Sequence, residues 1–361
     1  IMARQLGFFD LSDQYDRLSA SGDPLEELAQ IIEFEPFRYR LNKALKRSDG
    51  SKGGRPAYDV IVMFKVLVLQ ALYSFSDEQA EFFIRDRLSF MRFLGIQPGD
   101  AMPDATTIWL FREHLTRAKA LDKLFNRFNR LLEDKGYLAM GGQILDASLI
   151  PAPRQHLDDT EKQAIKEGQT ANDIWPDAPN KAAQKDVEAR WTVKTSKPKT
   201  PGQTALAIPL FGYKTHIGID RKHRLIRTYD VTSAAAGEGR LLRRGLVTRN
   251  NTSSKVWADS AYKSKANEEW MEKHGFVSQV HRRKPKGKAM PKHIAKGNAT
   301  RSKIRACVEH VFAEQKSRMG LCIRTIGLER AKTKIVLANL AYNMKRLTWL
   351  ERQNHTRIAP T

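Results

Sequence analysis

Apolar residues in the early part of the chain recur with a period near that of a helix. Over residues 57–74, Val60, Ile61, Met63, Phe64, Val66, Leu67, Leu69 and Leu72 leave almost no polar side, so the segment reads as a helix central to a small helical domain. Residues 76–88 and 104–115 continue the pattern. Pro103 and Asp104 read as a helix start, with the Asp side chain placed to cap the amide of Thr106 or Thr107. The cleanest amphipathic stretch is 121–135, with Leu121, Leu124, Phe125, Phe128, Leu131 and Leu132 on one side. Shorter helical stretches such as 24–37 precede these, and SKGGRP (51–56) reads as a basic joint. Helices joined by short turns suit either a helix-turn-helix DNA reader or a purely structural or dimerising bundle.

At Gly141 the period shortens to that of a strand. GGQILDASLI is apolar and carries one carboxylate, Asp146, near its middle. Residues 151–206 lack a sustained period and are rich in Pro, Lys, Asp and Gln, which predicts an insertion or long loop, partly helical near 158–167. YKTHIGI (213–219) alternates, a turn follows at 220–223, and 225–231 runs back as the second arm of a hairpin. A helix over 238–248, a short strand over 255–258 ending in Asp259, a helix over 267–274 and a strand over 276–280 come next. Residues 301–320 read as a helix with Ile304, Val308, Val311 and Phe312 on one face. Arg305, Glu309 and Lys316, at i, i+4 and i+11, share another. An amphipathic helix over 332–350 closes the pattern, and no internal repeat is evident. The expected organisation is an N-terminal arm or dimerisation element (1–50), a helical DNA-binding domain (51–138), a catalytic domain (139–350) with its insertion at 151–206, and a tail (351–361).

Charge narrows the range of partners. The 361 residues carry 62 Lys+Arg against 40 Asp+Glu, a formal net charge of +22, and such an excess points to a polyanion, most simply nucleic acid. Residues 282–305 hold ten Lys/Arg and no Asp/Glu; this run reads either as a loop along a phosphate backbone or as a solvated tail. Only two cysteines occur, Cys307 and Cys322, which gives no disulfide framework and fits a reducing compartment. His274, His281, His310 and Cys307 lack a zinc spacing. No apolar run approaches the roughly 18 residues of a membrane span, and the opening residues show no signal-peptide pattern. The expectation is a soluble, intracellular protein.

The carboxylates give the pattern chemistry. Three strands, then helix, strand, helix, strand, helix is the element order of an RNase H-like α/β domain. Asp146 on the first strand, Asp259 at the end of the fourth and Glu309 on the late helix occupy the positions where such a site needs acids. Asp is a poor strand residue, so Asp146 amid Ile, Leu and Ala breaks a local rule, as functional residues often do. Alone, Asp146 also fits a strand-end turn and Asp259 an N-cap. Three carboxylates suit two Mg²⁺ ions about 4 Å apart, one activating the attacking oxygen and one stabilising the leaving oxygen.

ILDAS (144–148), VWADSAY (256–262) and IRACVEHVFAEQK (304–316) resemble the three acidic motifs of bacterial DDE insertion-sequence transposases of the IS-four/IS-five superfamily, and the five-type branch is the closer match. The family's third motif is Tyr-x₂-Arg-x₃-Glu-x₆-Lys. Arg305, Glu309 and Lys316 keep its spacing, and Ser302 stands at the Tyr position. GRPAYDVIVMFKVLVLQALYSFSDEQ and PDATTIWLFREHL resemble the N-terminal region of that branch. VTSAAAGEG (231–239) departs from it, with Gly237 and Glu238 where a His-Asp pair is expected.

The resemblance implies a mixed five-stranded RNase H-like sheet with helices on both faces, preceded by an all-α domain. It implies Mg²⁺ ligation by Asp146, Asp259 and Glu309, with Mn²⁺ able to substitute. Arg305 and Lys316 would contact DNA phosphates. Tyr262 either packs against end DNA or is a core aromatic. Lys214 and His216 face either DNA or solvent, and Arg282 and Arg283 open the basic run. The expected activity is cut-and-paste transposition, with cleavage at the terminal inverted repeats and strand transfer into target DNA by a homodimer. A nuclease of the same fold without strand transfer, or a non-catalytic repressor, are the alternatives.

Overall fold

A computed structural model describes residues 10–45, 56–195, 206–285 and 287–358. Of the basic joint expected over 51–56, only Pro56 is described. Two compact units result: Ile1–Leu131 with Leu340–Thr361, and Leu132–Asn339.

The first unit is helical throughout its described residues. Its centre is Val60–Tyr73, buried on nearly every side, as its unbroken apolar sequence requires. Asp59 starts this helix by accepting from the Ile61 and Val62 amides. Ser76 and Gln79 form a reciprocal capping box at Asp77–Asp86. Asp104 caps Ala105–Arg117 by accepting from Thr107 at 2.6 Å, one of the two amides expected. Phe34, Phe37, Phe64, Phe93 and Phe128 interlock mostly through edge-on and tilted ring contacts, the geometry aromatic quadrupoles favour. Among the described residues no single helix is long and apolar enough to cross a membrane.

The second unit is built on a mixed sheet of β1 (Gln143–Pro151), β2 (Arg190–Thr195), β3 (Ala207–Asp220), β4 (Ile226–Ser233), β5 (Lys255–Trp257) and β6 (Val277–Ser278). β1 pairs antiparallel with β3, which pairs antiparallel with β4; on its other side β1 pairs parallel with β5, and β5 with β6. This is an RNase H-like α/β fold. The sheet has six strands where five were expected. The sixth is β2, supplied by the insertion: Trp191 and Val193 alternate with Thr192 and Lys194, a run too short to stand out in an otherwise aperiodic stretch. The rest of the insertion contributes the helices Asp159–Glu167, Ala171–Ile174 and Pro179–Gln184. Gly212 marks the switch along β3, where pairing with β1 ends and pairing with β2 begins. Its φ is +150°, and a Cβ there would meet the Ile150 carbonyl, so only glycine lets the two strands pass this closely.

Two expected elements differ. The helix expected over 238–248 is a 3₁₀ segment, Glu238–Arg244, stopped by Gly245 at φ +108°; glycines at 237, 239 and 245 deny it a longer helix. The basic run expected as a loop is helical from Lys292 onward, within Lys292–Ala313. Pro291 sits at its N-cap, and Lys, Ala and Arg are good helix formers that tolerate one Gly297. This site helix ends in a π-helical turn, Glu314–Arg318. The closing helix, expected over 332–350, runs from Leu328 to Ile358.

Candidate active site

Strand alternation aims Asp146 at the site helix. Its neighbour Leu145 packs into an apolar cluster with Leu242, Val256, Ala258, Tyr262 and Met271, so Asp146 projects from the opposite face. That is the face the site helix covers. There the Arg305 guanidinium donates to Asp146 Oδ2 at 2.8 Å. The other carboxylate oxygen accepts from the Ala147 amide at 2.9 Å. Asp146 is 8% exposed. Burial pushes its carboxyl above the ordinary range, and the Asp259 charge adds to this; Arg305 and the Ala147 amide only partly offset the rise.

Asp259 ends the β5 segment and caps the 3₁₀ turn Ser260–Tyr262, accepting from the Ala261 amide at 2.8 Å. The capping role open to it in the sequence is therefore real, and one bond leaves the carboxylate capacity to spare. Glu309 lies one turn beyond Arg305 on the site helix and is exposed. What joins the three acids is Arg305. Burial works against its charge, but Asp146, Asp259 and Glu309 together outweigh that and raise its pKa. Its Nε is buried with no hydrogen-bond partner.

Residues beyond the acids are placed unequally. Arg282 and Arg283 are exposed. Asn298 exchanges side-chain hydrogen bonds with the backbone of Arg282 at 3.1 and 3.0 Å, and Arg283 Nε donates to the Ser260 carbonyl at 2.9 Å. The segment after β6 is thus tied to both the site helix and the Asp259 turn. Ser302, at the position of the family tyrosine, has its hydroxyl 3.4 Å from His281 Nε2. Burial, and then the Arg305 charge, hold the His281 imidazole below its ordinary pKa.

Lys316 is exposed, and the α-helical i, i+11 spacing from Arg305 does not run unbroken to it. The π turn intervenes, and the charge that acts on Lys316 is Lys194 of β2, which adds to burial in lowering its pKa.

Tyr262 is fully buried in the apolar cluster, so of its two readings the core aromatic is the one its position fits. Its hydroxyl has no hydrogen-bond partner, and burial with Glu238, Asp146 and Asp259 raises its pKa far above ordinary. Lys214 and His216 face neither solvent nor an open surface. Lys214 is buried against Glu238 at 3.1 Å and donates to the Ala236 carbonyl at 3.0 Å. His216 is fully buried, 2.9 Å from Thr232 Oγ1, with its pKa held down to about 3 by burial and by Lys214. The hairpin's alternation misled here because β3 is buried on both faces from Phe211 to Asp220. Glu238, a fourth acid beside Tyr262, had one sequence signal, its position in the departure at 237–238.

Among the described residues no group of three or more His, Cys, Asp or Glu side chains stands close enough to hold a metal ion. The donor set nevertheless has the right chemistry for a hard cation: oxygen ligands only, from three carboxylates whose charges all raise the Arg305 pKa. On that ground the residues fit Mg²⁺.

An RNase H-like unit with an acid on its first strand held by an arginine of the late helix, a second acid just after β5 and a third one turn beyond the arginine defines the class. The family described as Transposase domain (DUF772) matches residues 12–114, and the family described as Transposase DDE domain matches residues 137–344. The chain belongs to the Transposase DDE domain family. No solved structure matches it significantly. The two matches together make a DDE-transposase domain architecture, a DNA-handling family with a catalytic domain preceded by a helical one.

Proposed function

We propose that the protein is a cut-and-paste DNA transposase of the five-type branch of the IS-four/IS-five superfamily. In this reading it cuts DNA at its element's terminal inverted repeats and joins the freed ends to target DNA. The observation that carries it is the Asp146–Arg305 pair, which joins the first strand to the site helix in a chain of the Transposase DDE domain family, with the Asp259 and Glu309 charges acting on the same guanidinium. Arg305 neutralises one acid, and Asp259 and Glu309 remain to take up a further cation.

Asp146, Asp259 and Glu309 would hold the Mg²⁺ ions. Bound there, the metal supplies Lewis-acid activation of the attacking oxygen and stabilisation of the leaving one. Arg305 restrains the repulsion among the acids and presents its unused N–H groups to a phosphodiester oxygen. Arg282 and Arg283, exposed beside the Asp259 turn, contact the backbone of the bound duplex. Tyr262 packs under the Asp259 turn and fixes its height, in place of a DNA contact. Hydrolysis and strand transfer differ only in the attacking oxygen, water or a 3′-hydroxyl, so one set of acids serves both. Joining two ends at once requires two active sites, hence a homodimer in the synaptic complex.

The test uses a labelled duplex carrying the element's end, a target plasmid, and either Mg²⁺ or EDTA. Joined product that depends on Mg²⁺ and disappears in Asp146→Ala supports the transposase. Cleavage without joining makes the protein a nuclease, and Mg²⁺-dependent joining by Asp146→Ala at the wild-type rate refutes the metal-site assignment.

A further inference from the structure

We infer that the two-stranded ribbon of β2 and the first half of β3 is a DNA-contacting surface, lying in a groove of the duplex whose phosphate reaches the acidic site. The inference rests on the transposase reading and adds to it a surface formed by the insertion. The ribbon strands, 190–195 and 207–212, carry Arg190 and Lys194 and no Asp/Glu. They pair Arg190 with Gly212 through to Thr195 with Ala207.

The ribbon displays apolar side chains on both faces. Trp191 is 49% exposed and Val193 61%, opposite Phe211 and Pro209. Ile208 is 42% exposed and sits opposite Lys194, on the other face. A ribbon that only completed the sheet would hide one of these faces. A two-stranded ribbon fits the major groove, where apolar side chains meet thymine methyl groups. The Arg154 guanidinium lies 5.6 Å from the Trp191 ring centre, so a cation already accompanies the aromatic on its exposed side.

The root of the ribbon is fixed to the active-site framework. Pro151, at the end of β1, is opposite Gly212, which is opposite Arg190. The Ile323 amide donates to the Pro151 carbonyl at 3.0 Å, and the Gly327 and Leu328 amides donate to Asp186 and Glu188 at 3.3 and 2.8 Å. The chain leaving the site helix is thereby stitched to the ribbon's base. Pro151 lies five residues beyond Asp146, about 16 Å along a strand. That is less than half a turn of duplex DNA, which is roughly 34 Å. One duplex can span both places.

Arg190 and Lys194, on a ribbon whose strands hold no Asp or Glu, favour an anion. They also oppose the alternative occupant, a second copy of this ribbon, because an isologous contact would set two acid-free surfaces against each other.

The test measures binding of the full chain to the end-bearing duplex by fluorescence anisotropy over a range of salt. The variants are Lys194→Gln and the double Trp191→Thr, Val193→Thr, with Lys162→Gln on the insertion's helix as the control; melting curves confirm that each is folded. Lys194→Gln is expected to lower the slope of log affinity against log salt by about one. The double variant is expected to weaken binding about tenfold, and the control to behave as wild type. If the wild-type protein binds no duplex, the transposase reading itself fails. If wild type binds and both ribbon variants match it in affinity and salt slope, the ribbon proposal is overturned while that reading stands. A double variant that changes only the sedimentation of the protein assigns the ribbon to a second copy, which also overturns it.

Discussion

Asp146 and Asp220 sit on neighbouring strands, both buried and both paired with an arginine, yet they are opposites. Asp220 ends β3 and is saturated. It accepts from the His223 amide at 2.7 Å, the Leu225 amide at 3.3 Å and Arg227 Nε at 2.9 Å, with His223 Nδ1 at 3.3 Å. Burial alone would raise its pKa, but His223 and Arg227 outweigh it and hold the carboxyl below the ordinary range. Asp146 has one arginine and one amide, feels Asp259, and stays above that range. The same residue type at similar depth is therefore a structural fixture on one strand and an underpaired charge on the next. A carboxylate with unfilled capacity beside other acids is where an added cation is taken up.

The largest effects should separate the two. Asp146→Asn is expected to lower end joining by about three orders of magnitude, the loss for several kcal/mol of metal-assisted stabilisation. The folded protein should survive, with a melting temperature in EDTA at neutral pH no lower than wild type. Asp220→Asn should do the reverse. Breaking a buried pair whose partner keeps its charge costs about 3–5 kcal/mol, read as a fall in the urea midpoint, while whatever remains folded still joins DNA. If Asp220→Asn abolished joining without loss of stability, the contrast between the two acids would collapse.

How far the sequence discloses this follows from range. The strand bearing Asp146, the acid after β5 and the amphipathic site helix are local patterns, and so is the order of elements that defines the fold class. The pairing of Arg305 with Asp146 spans 159 positions, and nothing in either segment names the other. The π turn at Glu314–Arg318 is equally hidden: EQKSR has ordinary helix formers, so nothing in it marks the break in α-helical spacing before Lys316. β2 was lost because six residues of alternation inside a long aperiodic insertion look like chance. Lys214 and His216 alternate as a solvent-facing pair would, and only long-range partners, Glu238 for Lys214 and Thr232 for His216, mark them as buried.

A smaller effect sharpens the comparison from the arginine side. Arg305→Gln removes the cation that occupies the space among the acids, so Mg²⁺ should bind several-fold more tightly by calorimetry, even though DNA joining falls. Arg227→Gln, the matching change beside Asp220, should leave Mg²⁺ binding unaltered. Equal Mg²⁺ affinity in wild type and Arg305→Gln would mean that Arg305 and the metal do not compete for the same carboxylates.

The smallest effect is the dependence of stability on pH, measured in EDTA by urea unfolding, and its sign differs between the two acids. Asp220 lies below its ordinary value of 3.8 when folded, so just beneath that value the unfolded chain binds more protons and stability is lost as pH falls. Asp146 lies above 3.8 when folded. From there up to its folded pKa the folded chain binds more protons, and stability falls as pH rises. His216 overlaps this window with the opposite slope: its ordinary value is 6.5 and its folded value about 3, so stability declines as pH falls through that interval. The raw curve therefore mixes two opposed slopes. Subtracting the wild-type curve from that of Asp146→Asn cancels His216 and Asp220, and the difference should grow in favour of the variant as pH rises from about 4. A flat difference would show that Arg305 satisfies Asp146 as fully as His223 and Arg227 satisfy Asp220, and that the two aspartates are alike after all.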